Sequence, residues 1–198
     1  MTQQQSEEMR QSSQIHLFES ADILKKVADV CTDTINAAAM EIVRTFKEGG
    51  KVLLCGNGGS AADCQHMATE FVSRLSKDFE RPGLPALALT TDTSFLTAFT
   101  NDCGYENVFA RQVEALGKPG DLLIGISTSG TSINVIRALE TARKGNMRTI
   151  FLTSTINPTE GKGDIVIAVP ATNTQYIQEA HLAIEHTICE LVERTLFC

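Results

Sequence analysis

His66 and Glu70 stand four residues apart in a stretch, Ala61 to Leu75, whose apolar positions recur at helical spacing. That spacing puts both side chains on one face of a helix about one turn apart, a pairing that suits one divalent metal or a proton transfer. Near the C-terminus Gln178 and His186 lie eight apart. On an ideal helix they are turned only about 80° from each other but separated by about 12 Å along the axis. Side-by-side ligation is therefore excluded: the two long side chains reach one ion from above and below, or different subunits supply them. His181 with Glu185 is a rival pair on the same helix, and Cys64 is a further soft ligand, on a different face from His66. For each pair the plain alternative is a solvated surface contact.

Two glycine- and serine-rich loops accompany these residues. Ser127-Thr128-Ser129-Gly130-Thr131-Ser132 follows the apolar run Leu122 to Ile126 and precedes a helical stretch, Ile133 to Lys144. Hydroxyls, backbone N–H groups and the helix dipole there suit an anion without a lysine, whereas an ordinary turn would use Thr131 or Ser132 as N-cap. Gly56-Asn57-Gly58-Gly59-Ser60 follows Val52 to Cys55 and matches neither GxGxxG nor the GK[ST] of a P-loop, which disfavours a nucleotide. Its glycines permit close backbone approach to a ligand, and Asn57 suits a sugar hydroxyl; the plain alternative is a turn with Ser60 as cap. Loops and paired side chains together suggest an enzyme acting on a small phosphorylated sugar.

The elements that position them follow from patterning. Five short apolar runs, Val52 to Cys55, Ala86 to Leu89, Leu122 to Ile126, Thr149 to Thr153 and Ile165 to Val169, alternate with helical segments from Lys51 onward. Runs without polar alternation are strands covered on both faces, so the fold class is α/β: a three-layer αβα sandwich with a five-stranded parallel sheet, preceded by N-terminal helices. Both loops then fall at the carboxyl edge, where such sheets bind ligands. Ile15 to Lys47 reads as two helices broken near Cys31-Thr32-Asp33, with Thr32 or Asp33 as cap, and Gly49-Gly50 ends the second. A flexible N-terminus over 1–14 and a single domain over 15–198 are expected, the last helix running from about Gln175 to Leu196.

A 198-residue chain with 42% hydrophobic residues can bury one sizeable core. The net charge of −7 argues against a nucleic-acid surface. A polar, acidic N-terminus and the lack of a membrane-length apolar run imply no membrane and a cytoplasmic location. The six cysteines form no CxxC pair and are expected to stay reduced.

Gly56 to Asp63, Gln65-His66, Glu70, Asn101-Asp102, Ser127 to Gly130 with Ser132, and Ile177-Gln178-Glu179 with His181 and His186 resemble the phosphoheptose isomerases of the sugar isomerase (SIS) fold family. The likeness runs in consistent order from about Ile35 to Leu196. It implies a flavodoxin-like sheet, interconversion of sedoheptulose 7-phosphate and D-glycero-D-manno-heptose 7-phosphate, a homotetramer with sites between subunits, and zinc. By the same resemblance His66, Glu70, Gln178 and His186 are metal ligands. Asn57, Gly58, Gly59, Glu70, Asn101, Asp102, Ser127, Thr128, Ser129, Ser132 and Gln178 contact substrate. Two departures stand out: a slightly longer segment between Arg74 and Pro82, and Tyr176 where some members carry arginine.

Aldose–ketose isomerisation needs a base that moves a proton between adjacent carbons through an enediol, for which Glu70 is the candidate, with His186 as acid or base at the oxygens. The rival is a non-catalytic SIS protein, a phosphosugar sensor or a replication-initiator-associating relative. Such a protein keeps the loops but has no need of Glu70 and His186. The isomerase half of a glucosamine-phosphate synthase fits less well, because one SIS unit stands here without an amidotransferase domain.

Overall fold

Strands β1 (Val52–Gly56) and β3 (Leu122–Ile126) are buried at every position, as uninterrupted apolar runs between helices require. In the computed structural model, which describes residues 1–77 and 80–198, they lie side by side at the centre of one sheet. With β2 (Ala86–Ala88), β4 (Arg148–Ser154) and β5 (Ile165–Val169) the order is β2-β1-β3-β4-β5, and every pairing is parallel. Alternate residues go to opposite faces. Val52, Leu54, Leu122, Ile124, Ile150 and Leu152 pack with α1 (Gln3–Lys47), α2 (Gly59–Val72) and α6 (Thr174–Phe197). Leu53, Cys55, Leu123 and Phe151 pack with α4 (Val108–Leu116) and α5 (Ile133–Lys144), and with aromatic residues of α3 (Thr93–Cys103). The result is the expected three-layer sandwich.

The chain passes from β1 outward to β2 and then returns to β3 on the other side. The crevice between the carboxyl ends of β1 and β3 is thus the topological switch point of the sheet. Both glycine- and serine-rich loops begin there.

One continuous 45-residue helix, α1, stands where the capping residues predict two. No glycine or proline interrupts it, and the hydroxyls of Thr32 and Thr34 donate within the helix, to Ala28 O at 2.6 Å and Cys31 O at 2.8 Å, instead of capping a new one. Val27, Cys31, Ile35, Ala38 and Ile42 form the buried stripe that holds it to the body. Residues 3–14, expected to be flexible, belong to this helix and are exposed. Thr2 and Gln5 close its start with a capping box. Among the described residues no helix is long and apolar enough to cross a membrane. Residues 78 and 79, within the longer segment between Arg74 and Pro82, lie outside the described residues.

Candidate active site

Helices α2 and α6 run in the same direction with matched register: Gly59 lies beside Gln178, His66 beside His186 and Leu75 beside Glu193. The Nε2 atoms of His66 and His186 are 2.8 Å apart, their rings meeting edge to face, and the Glu70 carboxylate is 3.5 Å from His66 Nε2. Ligand-capable atoms of His66, Glu70 and His186 all fall within 4.8 Å of one another. Two imidazole nitrogens this close need one ring protonated at Nε2 or a cation in the proton's place. Two nitrogens and a carboxylate oxygen are a donor set that fits zinc. Gln178 approaches from elsewhere, since its amide sits against Gly59, seven residues before His66. A Cβ at Gly59 would meet Gln178 Nε2 at 2.3 Å, so only glycine leaves room for that amide.

The rival pair on α6 is neither solvated nor part of this group. His181 and Glu185 are both buried, and His181 Nε2 lies 3.0 Å from Thr153 O, a carbonyl that can only accept, so Nε2 carries the proton. Burial lowers the His181 pKa to about 4, against the raising effect of that hydrogen bond, and keeps the ring neutral. Burial, with Asp63 nearby, holds the Glu185 carboxyl well above the usual carboxylate range. Cys64 is fully buried and its thiol is pushed well up, chiefly by the same desolvation, which fits a core residue rather than a ligand.

At the switch point the two loops are tied together. Asn57 and Asn134 exchange reciprocal amide hydrogen bonds of 2.9 and 2.8 Å, and the Tyr105 hydroxyl donates to Asn57 Oδ1 at 3.0 Å. Ser127 and Ser132 hydroxyls are 2.9 Å apart, and Ser129 and Thr131 hydroxyls 3.0 Å. Ser132 occupies the N-cap position of α5, yet its side chain bonds no helix N–H; the N-cap position of α2 is Gly58, so Ser60 does not cap either. The hydroxyls of Ser127, Ser129 and Ser132 thus form a polar cluster at a helix N-terminus, suited to an anion. Asn101 and Asp102, exposed at the end of α3, hydrogen-bond to each other at 2.9 Å.

Several supporting residues are invisible to sequence reasoning. Arg81, whose side chain is fully buried, pairs with Glu193 at 2.6 Å and donates to the carbonyls of Glu70 at 2.6 Å and Phe71 at 2.8 Å. It ties the end of α2 that carries Glu70 to α6, which carries His186. Asn134 and Tyr105 hold Asn57 in the same way. The one signal for Asn134 is its place just after the serine-rich loop; for Arg81 and Tyr105 there is none.

The sequence model of the SIS domain matches residues 16–154. A phosphoheptose isomerase of Roseiflexus sp. is 56% identical over 179 residues, 90% of this chain and 90% of that one. Two solved structures superpose along nearly their whole length. A phosphoheptose isomerase from Francisella tularensis has a TM-score of 0.89 and 35% identity, covering 94% of this chain and 98% of its own. The phosphoheptose isomerase of Neisseria gonorrhoeae has a TM-score of 0.86 and 38% identity, covering 94% and 99%.

Proposed function

The chain belongs to the SIS domain family and, within it, to the phosphoheptose isomerases, and from that premise we propose that it interconverts sedoheptulose 7-phosphate and D-glycero-D-manno-heptose 7-phosphate between α2 and α6. The observation that carries the reading is the Glu70 carboxylate set beside the facing imidazoles of His66 and His186, next to a hydroxyl-rich loop at the switch point. A sensor needs the loop alone; the carboxylate and imidazoles favour a reaction.

The serine-rich loop holds the phosphate, and Asn57 and Gln178 face the sugar hydroxyls. With the phosphate anchored at one end, the carbonyl end of the open-chain sugar reaches α2 and α6. Glu70 takes a proton from C1 of the ketose, the C1–H electrons form the enediol, and the same carboxyl returns the proton to C2. His186 takes the proton from the C1 hydroxyl and delivers one to the oxygen on C2, leaving the aldehyde at C1. Only 15% of the Glu70 side chain is exposed, which restricts exchange of the abstracted proton with water.

We also propose zinc at His66, Glu70 and His186, with a Gln178 from another subunit completing the set, since the chain's own Gln178 sits against Gly59; when bound it polarises the carbonyl and the developing oxyanion. Glu70 then serves both as a ligand and as the proton carrier. A homotetramer is proposed on the exposed apolar residues of α1, Met9, Leu17, Phe18 and Val30, and on the exposure of His186 and Asp102, which a second subunit would cover. A cytoplasmic location accords with the reduced cysteines. The reaction is tested by incubating purified protein with sedoheptulose 7-phosphate and following the aldose by NMR. Formation of the heptose phosphate supports it, and unchanged ketose at high enzyme concentration refutes it.

A further inference from the structure

Three successive carbonyls of the serine-rich loop are each held from behind by a donor from the single segment 154–162. The Ser154 hydroxyl donates to Thr128 O at 2.7 Å, the Asn157 amide to Ser129 O at 2.9 Å, and the Lys162 ammonium to Gly130 O at 2.9 Å. Ser154 Oγ also accepts from Ile156 N at 3.3 Å, which directs its own proton at the loop. Because a trans peptide is planar, fixing a carbonyl fixes the next residue's N–H on the opposite side. The N–H groups of Ser129, Gly130 and Thr131 are therefore turned away from the segment, two of them onto the loop itself: Gly130 N–H donates to Ser127 O and Thr131 N–H to Ser129 Oγ, both at 3.2 Å. Gly130 has φ 69°, in the left-handed region that permits the reversal of direction. Among the described residues Ser129 N–H has no protein partner, and Lys162 has no carboxylate within ion-pairing distance.

We propose that Asn157 and Lys162 are positioning and specificity residues for the phosphate of the substrate. Asn157, through Ser129 O, anchors the residue whose N–H is free and whose hydroxyl joins the serine cluster, and Lys162 adds to this the one positive charge that the loop's own sequence lacks. This rests on the reading of the serine-rich loop as a phosphosugar site. Chemically the arrangement is one free N–H and a cluster of hydroxyl donors backed by a cation, and it selects a phosphate dianion over a neutral sugar terminus. The lysine acts from behind the loop, through the carbonyl it grips, and not as a residue within a phosphate motif.

The test titrates inorganic phosphate into the full-length protein and its Lys162→Met, Lys162→Arg and Asn157→Ala variants, followed by phosphorus NMR, with KM and kcat for sedoheptulose 7-phosphate measured alongside. Lys162→Met and Asn157→Ala are expected to raise both the phosphate Kd and KM about tenfold with kcat within about twofold, while Lys162→Arg, which keeps charge and donor, stays near wild type. Melting temperatures report folding, and both side chains are partly exposed, so these variants fold. Unchanged phosphate affinity in both Lys162→Met and Asn157→Ala overturns the proposal, as does a loss confined to kcat or a loss in Lys162→Arg equal to that in Lys162→Met. A wild type that binds phosphate but leaves sedoheptulose 7-phosphate untouched refutes the reaction and leaves the positioning claim standing if the variants weaken phosphate as expected.

Discussion

His66 and His186 are 120 residues apart in the chain, and their Nε2 atoms are 2.8 Å apart in space. The contact exists because α2 and α6 lie parallel on the same side of the sheet. It turns two ordinary helical histidines into a pair of facing nitrogen donors beside Glu70.

The proposed zinc would need both rings. Wild-type protein is expected to carry about one zinc per chain, and His66→Ala to lose most of it, since the remaining nitrogen and carboxylate make an incomplete set. Metal analysis of the two purified proteins decides the point: equal zinc content removes His66 as a ligand.

Arg81 and Glu193 form a buried ion pair whose other donors hold the carbonyls of Glu70 and Phe71. Arg81→Met removes the charge partner of the buried Glu193 carboxylate, which keeps the Leu75 N–H, and the guanidinium donors of the Glu70 and Phe71 carbonyls, a change expected to cost about 3–5 kcal/mol. Denaturant unfolding should show a correspondingly lower midpoint with the slope unchanged. A midpoint within error of wild type would mean that the clamp contributes nothing.

His181 predicts a pH dependence of stability. Its folded pKa of about 4 lies below the ordinary value of 6.5, so the unfolded chain binds the extra proton first. Stability contributed by the neutral ring is fully present above about pH 6.5 and is lost as pH falls toward 4, by up to about 3 kcal/mol. Glu185, with its raised pKa, acts in the opposite sense, losing stability as pH rises above the unfolded carboxylate range. The comparison is therefore between wild type and His181→Gln. The variant should lose less stability between pH 6.5 and 4; parallel unfolding curves for the two proteins would contradict the assignment.

Much of this architecture is legible in the residues. β3 and α5 fall where their apolar runs place them, because neither run contains a competing breaker. The two loops are marked by glycine and serine directly after a strand, and His66 with Glu70 by helical spacing. What stays hidden depends on contacts between distant segments. Arg81 lies ten residues beyond Phe71 and 112 before Glu193, and nothing in its neighbourhood separates it from a surface arginine. Asn157 and Lys162 sit in Thr155 to Gly163, where Pro158, Gly161 and Gly163 mark only a breaker-rich loop. Thr32 misleads for a local reason: a hydroxyl that can cap a helix can also bond inside one, and the buried stripe through Cys31 and Ile35 decides for continuity.

The most direct test of the account is the turnover of Glu70→Gln with sedoheptulose 7-phosphate. The substitution keeps size and polarity but removes the carboxylate that moves the proton between C1 and C2, so kcat is expected to fall by at least about 10²-fold. Turnover near that of the wild type would contradict the role of Glu70.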